Sequence, residues 1–221
     1  LARASGVKPI IGCEMYIASG SRFDKNPTDK IHHLTVLARD SVGYKNLVKL
    51  VSASHLEGYY KRPRIDREIL EQHSGGLLVL SGCPSGEVPW LLGQGRYEEA
   101  KETAGWYQEV FGTYFLEFMK HGGVPELPDI NRGLISLNKD LKIPLVATND
   151  SHYVLEEHAI NHEVLLCIQT NTNINDEKRM RFEEASYHLR SSEEMSELFS
   201  DFPEAVMNTE MVAEMCNVEL D

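Results

Sequence analysis

The sequence predicts an α/β fold, and two observations carry that prediction. Short apolar runs of strand length recur up to about Glu156, and stretches with apolar residues at helical spacing separate them. Strands that alternate with helices imply parallel βα units. Beyond Glu156 the pattern turns to helices alone, so the chain divides into 1–155, a barrel-like part, and 156–221, a helical end.

The elements follow in order. Leu1 to Val7 reads as the last turn of a helix, with Gly6 as its stop. Lys8 to Ala18 alternates weakly and reads as a strand carrying Gly12-Cys13-Glu14. His33 to Ala38 is a second strand. Ser41 is the expected cap of a helix running to about Glu57, whose apolar side carries Leu47, Val48, Leu50 and Val51. A short helix opens at Asp66, and Gly76 to Ser81 is a third strand that runs into Gly82-Cys83. Helices are expected near 85–94 and 96–111. Tyr114 to Phe118 is a fourth strand, leading to His121-Gly122-Gly123. A helix over about 126–141 returns the chain to the buried run Ile143 to Ala147. The helical end holds helices near 156–169, 192–199 and 203–216, with a short strand at Tyr187 to Arg190 between them.

Composition sets limits on function. The chain has 221 residues, of which 42% are hydrophobic and 25% charged, an ordinary globular balance. No apolar run approaches the length of a membrane span, and no membrane partner is expected. A net charge of −12 argues against a surface that is wholly a nucleic-acid footprint. The conspicuous basic and aromatic cluster is Tyr59-Tyr60-Lys61-Arg62-Pro63-Arg64, which reads on its own as a solvated loop. The four cysteines, Cys13, Cys83, Cys167 and Cys216, form no C-x-x-C pair, so reduced thiols are expected. Cys167 and Cys216 lie in helical apolar patterns and read as core.

The stretch Thr148-Asn149-Asp150-Ser151-His152 is the most informative. If the preceding strand continues through it, Asp150 and His152 point the same way, because strand side chains alternate. A carboxylate and an imidazole together suit zinc, manganese or iron. The competing reading is a turn, which Asn-Asp-Ser also favours. Glu14, Cys83, His121 and the Asp150/His152 pair all lie in or at the end of a predicted strand, whereas His33 begins one. Catalytic groups of βα barrels gather at C-terminal strand ends, so convergence of these side chains would make a metal site. Each has a plainer alternative. Glu14 could pair with a surface cation, Cys83 could be a small buried filler, and His121 could serve a tight turn. One of His32 and His33 is expected to be merely exposed. His158 and His162 read as structural, His162 leading into a core run Val164-Leu165-Leu166. His55, His73 and His188 read as surface or structural residues.

Seven motifs in order carry a resemblance. They are Gly12-Cys13-Glu14, His33 to Ala38, Gly43 to Leu47, Ile65-Asp66-Arg67, Leu80 to Cys83, Ala147 to His152, and His162 to Leu166. Across essentially its whole length the chain resembles the PHP (polymerase and histidinol phosphatase) domain of the alpha subunits of bacterial replicative DNA polymerase III. The resemblance implies a distorted (β/α)7 barrel with a polynuclear site of divalent ions (zinc, manganese, magnesium or iron). Its ligands fall on Glu14, His33, Cys83, Asp150 and His152, with His121 as a substrate-facing or supporting residue. A metal-activated water is the implied nucleophile, and no side chain is assigned as catalytic. The implied activity is phosphoester hydrolysis of the 3′–5′ exonuclease type, beside a DNA polymerase activity carried elsewhere in the parent subunit. DNA, the proofreading exonuclease subunit and other polymerase subunits are the implied partners, and the bacterial cytoplasm the implied location. The family's first His-x-His motif has no counterpart, since no His precedes position 32. The chain therefore reads as a fragment, its barrel incomplete on the N-terminal side and its metal site short of ligands or empty. Two alternatives stand beside this reading: a non-catalytic scaffold that docks the exonuclease subunit, and a stand-alone phosphoesterase like histidinol phosphatase.

Overall fold

The computed structural model describes residues 1–182 and 184–220. Six strands form one open sheet: β1 (Gly12–Ala18), β2 (Ile31–Ala38), β3 (Arg64–Ile65), β4 (Leu77–Leu80), β5 (Tyr114–Phe118) and β6 (Leu145–Ala147). Their order is β3-β1-β2-β4-β5-β6. The helices are α1 (Ser41–Leu56), α2 (Arg67–Gln72), α3 (Glu87–Gly93), α4 (Tyr97–Phe111), α5 (Leu127–Leu141), α6 (Ala159–Thr170), α7 (Ser192–Leu198) and α8 (Pro203–Met215). The α/β class is as expected, and the sheet is not closed.

Uniformly parallel strands are not what forms. β2 pairs antiparallel with both β1 and β4, while β1/β3, β4/β5 and β5/β6 are parallel. The reason is local. The link from β1 to β2 contains no helix, and a helix-free connection turns the chain back antiparallel instead of crossing over.

Burial separates the two faces of the sheet. Met15, Ile17, Leu34, Val36, Val79, Leu116 and Phe118 pack outward into the main core with α1, α3, α4 and α5. The inner face alternates with these positions. Its floor is apolar, with Leu78, Leu80, Phe115 and Val146 packed on Val212 and flanked by Leu37, Met211 and Met215. Thus α8 plugs the floor, and Asn208 Nδ2 donates to the Leu145 carbonyl at 2.7 Å, occupying part of the β6 edge. Above this floor the inner face becomes polar.

Several local expectations are corrected. Asp40, not Ser41, caps α1, its carboxylate accepting from the amides of Val42 and Gly43, both at 2.8 Å. Asp40→Ala should therefore cost about 1 kcal/mol of stability in urea unfolding, and Ser41→Ala close to nothing. Gly43 fits because α1 starts against Gly76: a Cβ at Gly43 would lie 1.8 Å from the Gly76 carbonyl oxygen. Tyr187 to Arg190 forms no strand, only a bridge between Tyr153 and His188. Leu166 and Cys167 are buried on α6, but Val164 and Leu165 are exposed, as are Ile160 and Ile168. The expected core run is thus an apolar outer face. Cys216 is buried as expected.

Candidate metal centre

Strand register builds the centre. Glu14 and Tyr16 of β1 sit opposite Thr35 and His33 of β2, and all four share the inner face. Because β2 is antiparallel, its beginning lies at the rim where β1 ends. That resolves the anomaly of His33, which begins its strand yet joins groups from strand ends. Cys83 arrives three residues after β4. Gly82 makes the approach feasible: it has φ +82°, and a Cβ there would stand 2.8 Å from the His33 carbonyl oxygen. The bond from the His33 amide to the Ser85 carbonyl, 3.2 Å, fastens the Cys83 loop to β2.

Glu14, His33 and Cys83 offer ligand atoms that all lie within 4.8 Å of one another. Glu14 Oε1 is 2.6 Å from His33 Nδ1, and the Cys83 sulfur is 3.4 Å from the same nitrogen. Two ligands on one tetrahedral ion, with bonds of about 2.1 and 2.3 Å, stand roughly 3.5 Å apart, so the sulfur–nitrogen pair already has ligand spacing. The Glu14–His33 pair is closer and would open slightly around an ion. The donor set of carboxylate, imidazole and thiol fits a borderline divalent cation.

Burial and neighbouring charges set the protonation of the cluster. The His33 hydrogen bond holds the Glu14 carboxyl below its ordinary range, against the opposing effect of burial. Burial, with the nearby Asp150 and Glu14 charges, pushes the Cys83 thiol up to about 12. Cys83 is therefore a neutral thiol until a cation takes its proton's place.

Asp150 and His152 do not arrive as strand residues. β6 ends at Ala147, and Asp150 has φ +45°. The strand-alternation argument for this pair therefore fails: residues 148–152 form an irregular segment with Asp150 in the left-handed region. The pair still borders the cluster, because its charges act on Glu14 and Cys83. Burial keeps the Asp150 carboxyl above its ordinary value, opposed by His152. His152 Nδ1 donates to the Asp150 carbonyl at 2.6 Å, which leaves Nε2 as the free lone pair. His162 meets the His152 ring with centroids 5.2 Å apart and also packs on Phe182.

His121 is buried and stacks on Tyr187 with ring centroids 4.3 Å apart. Its Nδ1 is 3.0 Å from the Ser186 hydroxyl, and its enclosed Nε2 meets no partner. Burial brings its pKa down to about 4, so it is a neutral ring. Tyr187 also touches the His152 ring, so His121 lies one ring behind that residue. Of the paired histidines on β2, neither is exposed: His32 is buried on the outer face against Trp90, and His33 is half-buried.

Glu117 was not singled out by the sequence reading. It sits in β5 on the inner face, buried, with the Thr35 hydroxyl 3.4 Å from its carboxylate and no ion pair with any described cation. Burial and the charges of Asp150 and Glu14 raise its pKa to about 8. The available signal was one acid inside an otherwise apolar strand, Tyr114-Phe115-Leu116-Glu117-Phe118.

The open α/β sheet with a carboxylate, imidazole and thiol cluster at one rim defines a PHP-type protein, and residues 1–121 match the PHP domain family. The chain belongs to that family. It is similar to the DNA polymerase III subunit alpha of Borreliella burgdorferi, 43% identical over 220 residues, and to that of Treponema pallidum, 45% identical over 222 residues. The same subunit of Thermus aquaticus is 42% identical over 227 residues. Each alignment covers 98–99% of this chain but only 18–19% of the relative, so the chain spans about a fifth of their length. Among the described residues no helix is long and apolar enough to cross a membrane.

Proposed function

We propose that this chain acts as the PHP portion of a DNA polymerase III alpha-type subunit, and that its rim cluster holds divalent metal for hydrolysis of phosphodiesters. The observation that carries this reading is the convergence of Glu14, His33 and Cys83 ligand atoms within 4.8 Å. Asp150 and His152 complete the set from the segment after β6, His152 through Nε2. His121 supports the wall behind His152. A bound divalent ion supplies Lewis-acid polarisation of phosphoryl oxygens and brings water towards neutrality in pKa. The chain's own part is to bind the ion, to fix the ligand directions through Gly82 and the left-handed Asp150, and to keep the apolar floor dry beneath it. In the reaction a water oxygen bonds to phosphorus, the ester P–O bond breaks, and the departing sugar oxygen takes a proton. Residues 1–155 would form the barrel part and 156–221 its helical end, in a subunit of the bacterial cytoplasm whose partners are DNA and other polymerase subunits. Polymerisation itself belongs to other parts of such a subunit.

With manganese or zinc, release of nucleotides from the 3′ end of a single strand is the expected activity. Asp150→Asn should lower it at least about tenfold, the minimum for disturbing a ligand or its support. Unchanged metal-dependent release in Asp150→Asn would contradict the proposal.

A second reading, a scaffold that docks the proofreading exonuclease subunit, is favoured by the outer face of α6. Ile160, Val164, Leu165 and Ile168 are all exposed there. Metal-dependent stability without strand degradation would support it.

A further inference from the structure

Ligands alone do not hold a polyanionic strand in place, and the candidate lies one ring away from the cluster. Tyr16 stands opposite His33 in the β1/β2 pair, and their rings meet edge to face with centroids 5.2 Å apart. The Arg62 guanidinium carbon lies 5.8 Å over the Tyr16 ring. Arg62 is exposed and belongs to the basic and aromatic segment that reads from sequence as a solvated loop.

That segment is a built turn. The Tyr60 amide donates to the Arg62 carbonyl at 3.0 Å, and Lys61 between them has φ +61°. A side chain other than glycine rarely takes that conformation, which costs about 1–2 kcal/mol. Lys61 is exposed at the tip, with its ammonium 5.5 Å over the Tyr60 ring. Arg64 anchors the turn from beneath: it is buried, and it donates to the carbonyls of Gly58, Arg22 and Asp24. Nearby, Arg22 is fully engaged by Asp66, Glu57 and Glu68. Among the described residues, neither Lys61 nor Arg62 forms an ion pair, although the chain carries twelve surplus negative charges. Arg62 thus reaches the candidate cluster through Tyr16, and Lys61 and Tyr60 adjoin Arg62 in the same turn. Alternating planar rings and phosphates are the chemistry of a single nucleic-acid strand, whose bases stack on aromatic faces while cations follow its backbone.

We propose that Tyr16, Arg62 and Lys61 form a ledge that holds single-stranded nucleic acid against the metal cluster. A base packs on Tyr16, and adjacent phosphates meet Arg62 and Lys61. This rests on the phosphodiesterase reading of the cluster and adds its substrate-positioning surface. Tyr16 and Arg62 are positioning residues.

The test is fluorescence anisotropy of a labelled oligothymidylate with the whole chain in EDTA, so that ledge binding is read without metal or cleavage. The double variant Lys61→Gln/Arg62→Gln should bind roughly tenfold more weakly. Its salt slope should also fall by about 1.4, since each single-strand phosphate contact accounts for about 0.7. Tyr16→Leu should lose roughly tenfold, as for a base–aromatic stack, and Tyr16→Phe should restore binding. Lys139→Gln, an exposed residue in the last turn of α5, should change nothing, and a duplex of the same length should bind more weakly. Thermal unfolding of each variant separates lost binding from lost fold. No binding by the parent, an unchanged affinity and slope in the double variant, or equal competition by polyglutamate would overturn the ledge. Calorimetric zinc uptake by the same proteins is read separately. Parent protein that takes up no zinc but binds the oligonucleotide through Lys61 and Arg62 would sink the metal reading and leave the ledge standing.

Discussion

His33→Ala should bind zinc or manganese at least about 100-fold more weakly than the parent chain, a loss of about 2.8 kcal/mol. His33 is the hinge of the cluster, because its Nδ1 faces both the Glu14 oxygen at 2.6 Å and the Cys83 sulfur at 3.4 Å. Removing it leaves a thiol and a carboxylate without the nitrogen between them. The same geometry predicts a pH dependence. With the Cys83 thiol near 12, metal must displace its proton at neutral pH. Zinc affinity should therefore rise about tenfold per pH unit between about pH 6 and 8, and calorimetry in buffers of different ionisation heat should register one proton released. Cys83→Ser should flatten that slope. A slope of zero in the parent would mean that the thiolate is not a ligand.

The second large effect concerns Glu117. Its folded pKa of about 8 lies above its ordinary 4.5, so between those values the native chain holds a proton that the unfolded chain has lost. Native protonation exceeds unfolded protonation in that window, and metal-free stability must fall as pH rises through it. At about 1.36 kcal/mol per unit the loss is on the order of 4 kcal/mol between pH 4.5 and 8. Glu117→Gln keeps the hydrogen-bonding shape without the charge. Metal-free Glu117→Gln should therefore be more stable than the parent at pH 8, about equal at pH 4.5, and nearly flat between. Urea unfolding at both pH values checks this. Parent and variant curves that run parallel would show that Glu117 ionises freely.

Much of the fold is visible in the residues, and the omissions have physical causes. β4, and β5 apart from Glu117, are apolar runs buried on both faces, and such runs stand out. The direction of β2 does not, since a strand looks alike whichever way it is paired, and only the helix-free link before it hints at the reversal. α6 misled because Val164 and Leu165 have the spacing of a core helix, while spacing does not reveal whether a partner covers that face. Asp40 and Ser41 are both good caps, and the choice between them falls on the one whose carboxylate reaches two amides.

The site divides in the same way. Glu14, His33 and Cys83 stood out as ligand-type residues near strand ends, and the fold brings those three together. The Asp150/His152 pair was noticed for a strand geometry it does not have. It lies in an irregular segment whose left-handed Asp150 is a conformation Asp tolerates better than most side chains. Glu117 escaped notice because acids are usually surface residues, and only the sheet register puts this one inside. Arg62 was legible as a charge but not as a neighbour, because its approach to Tyr16 depends on the parallel pairing of β3 with β1.

Cobalt(II) titration tests the central claim most directly, because a thiolate bound to cobalt produces an intense near-ultraviolet charge-transfer band that oxygen and nitrogen ligands do not. The parent chain should develop that band as cobalt is added, Cys83→Ser should abolish it, and His33→Ala should move its appearance to roughly 100-fold higher cobalt. A parent chain that shows no such band, or a band that persists in Cys83→Ser, would contradict a metal centre built on Glu14, His33 and Cys83.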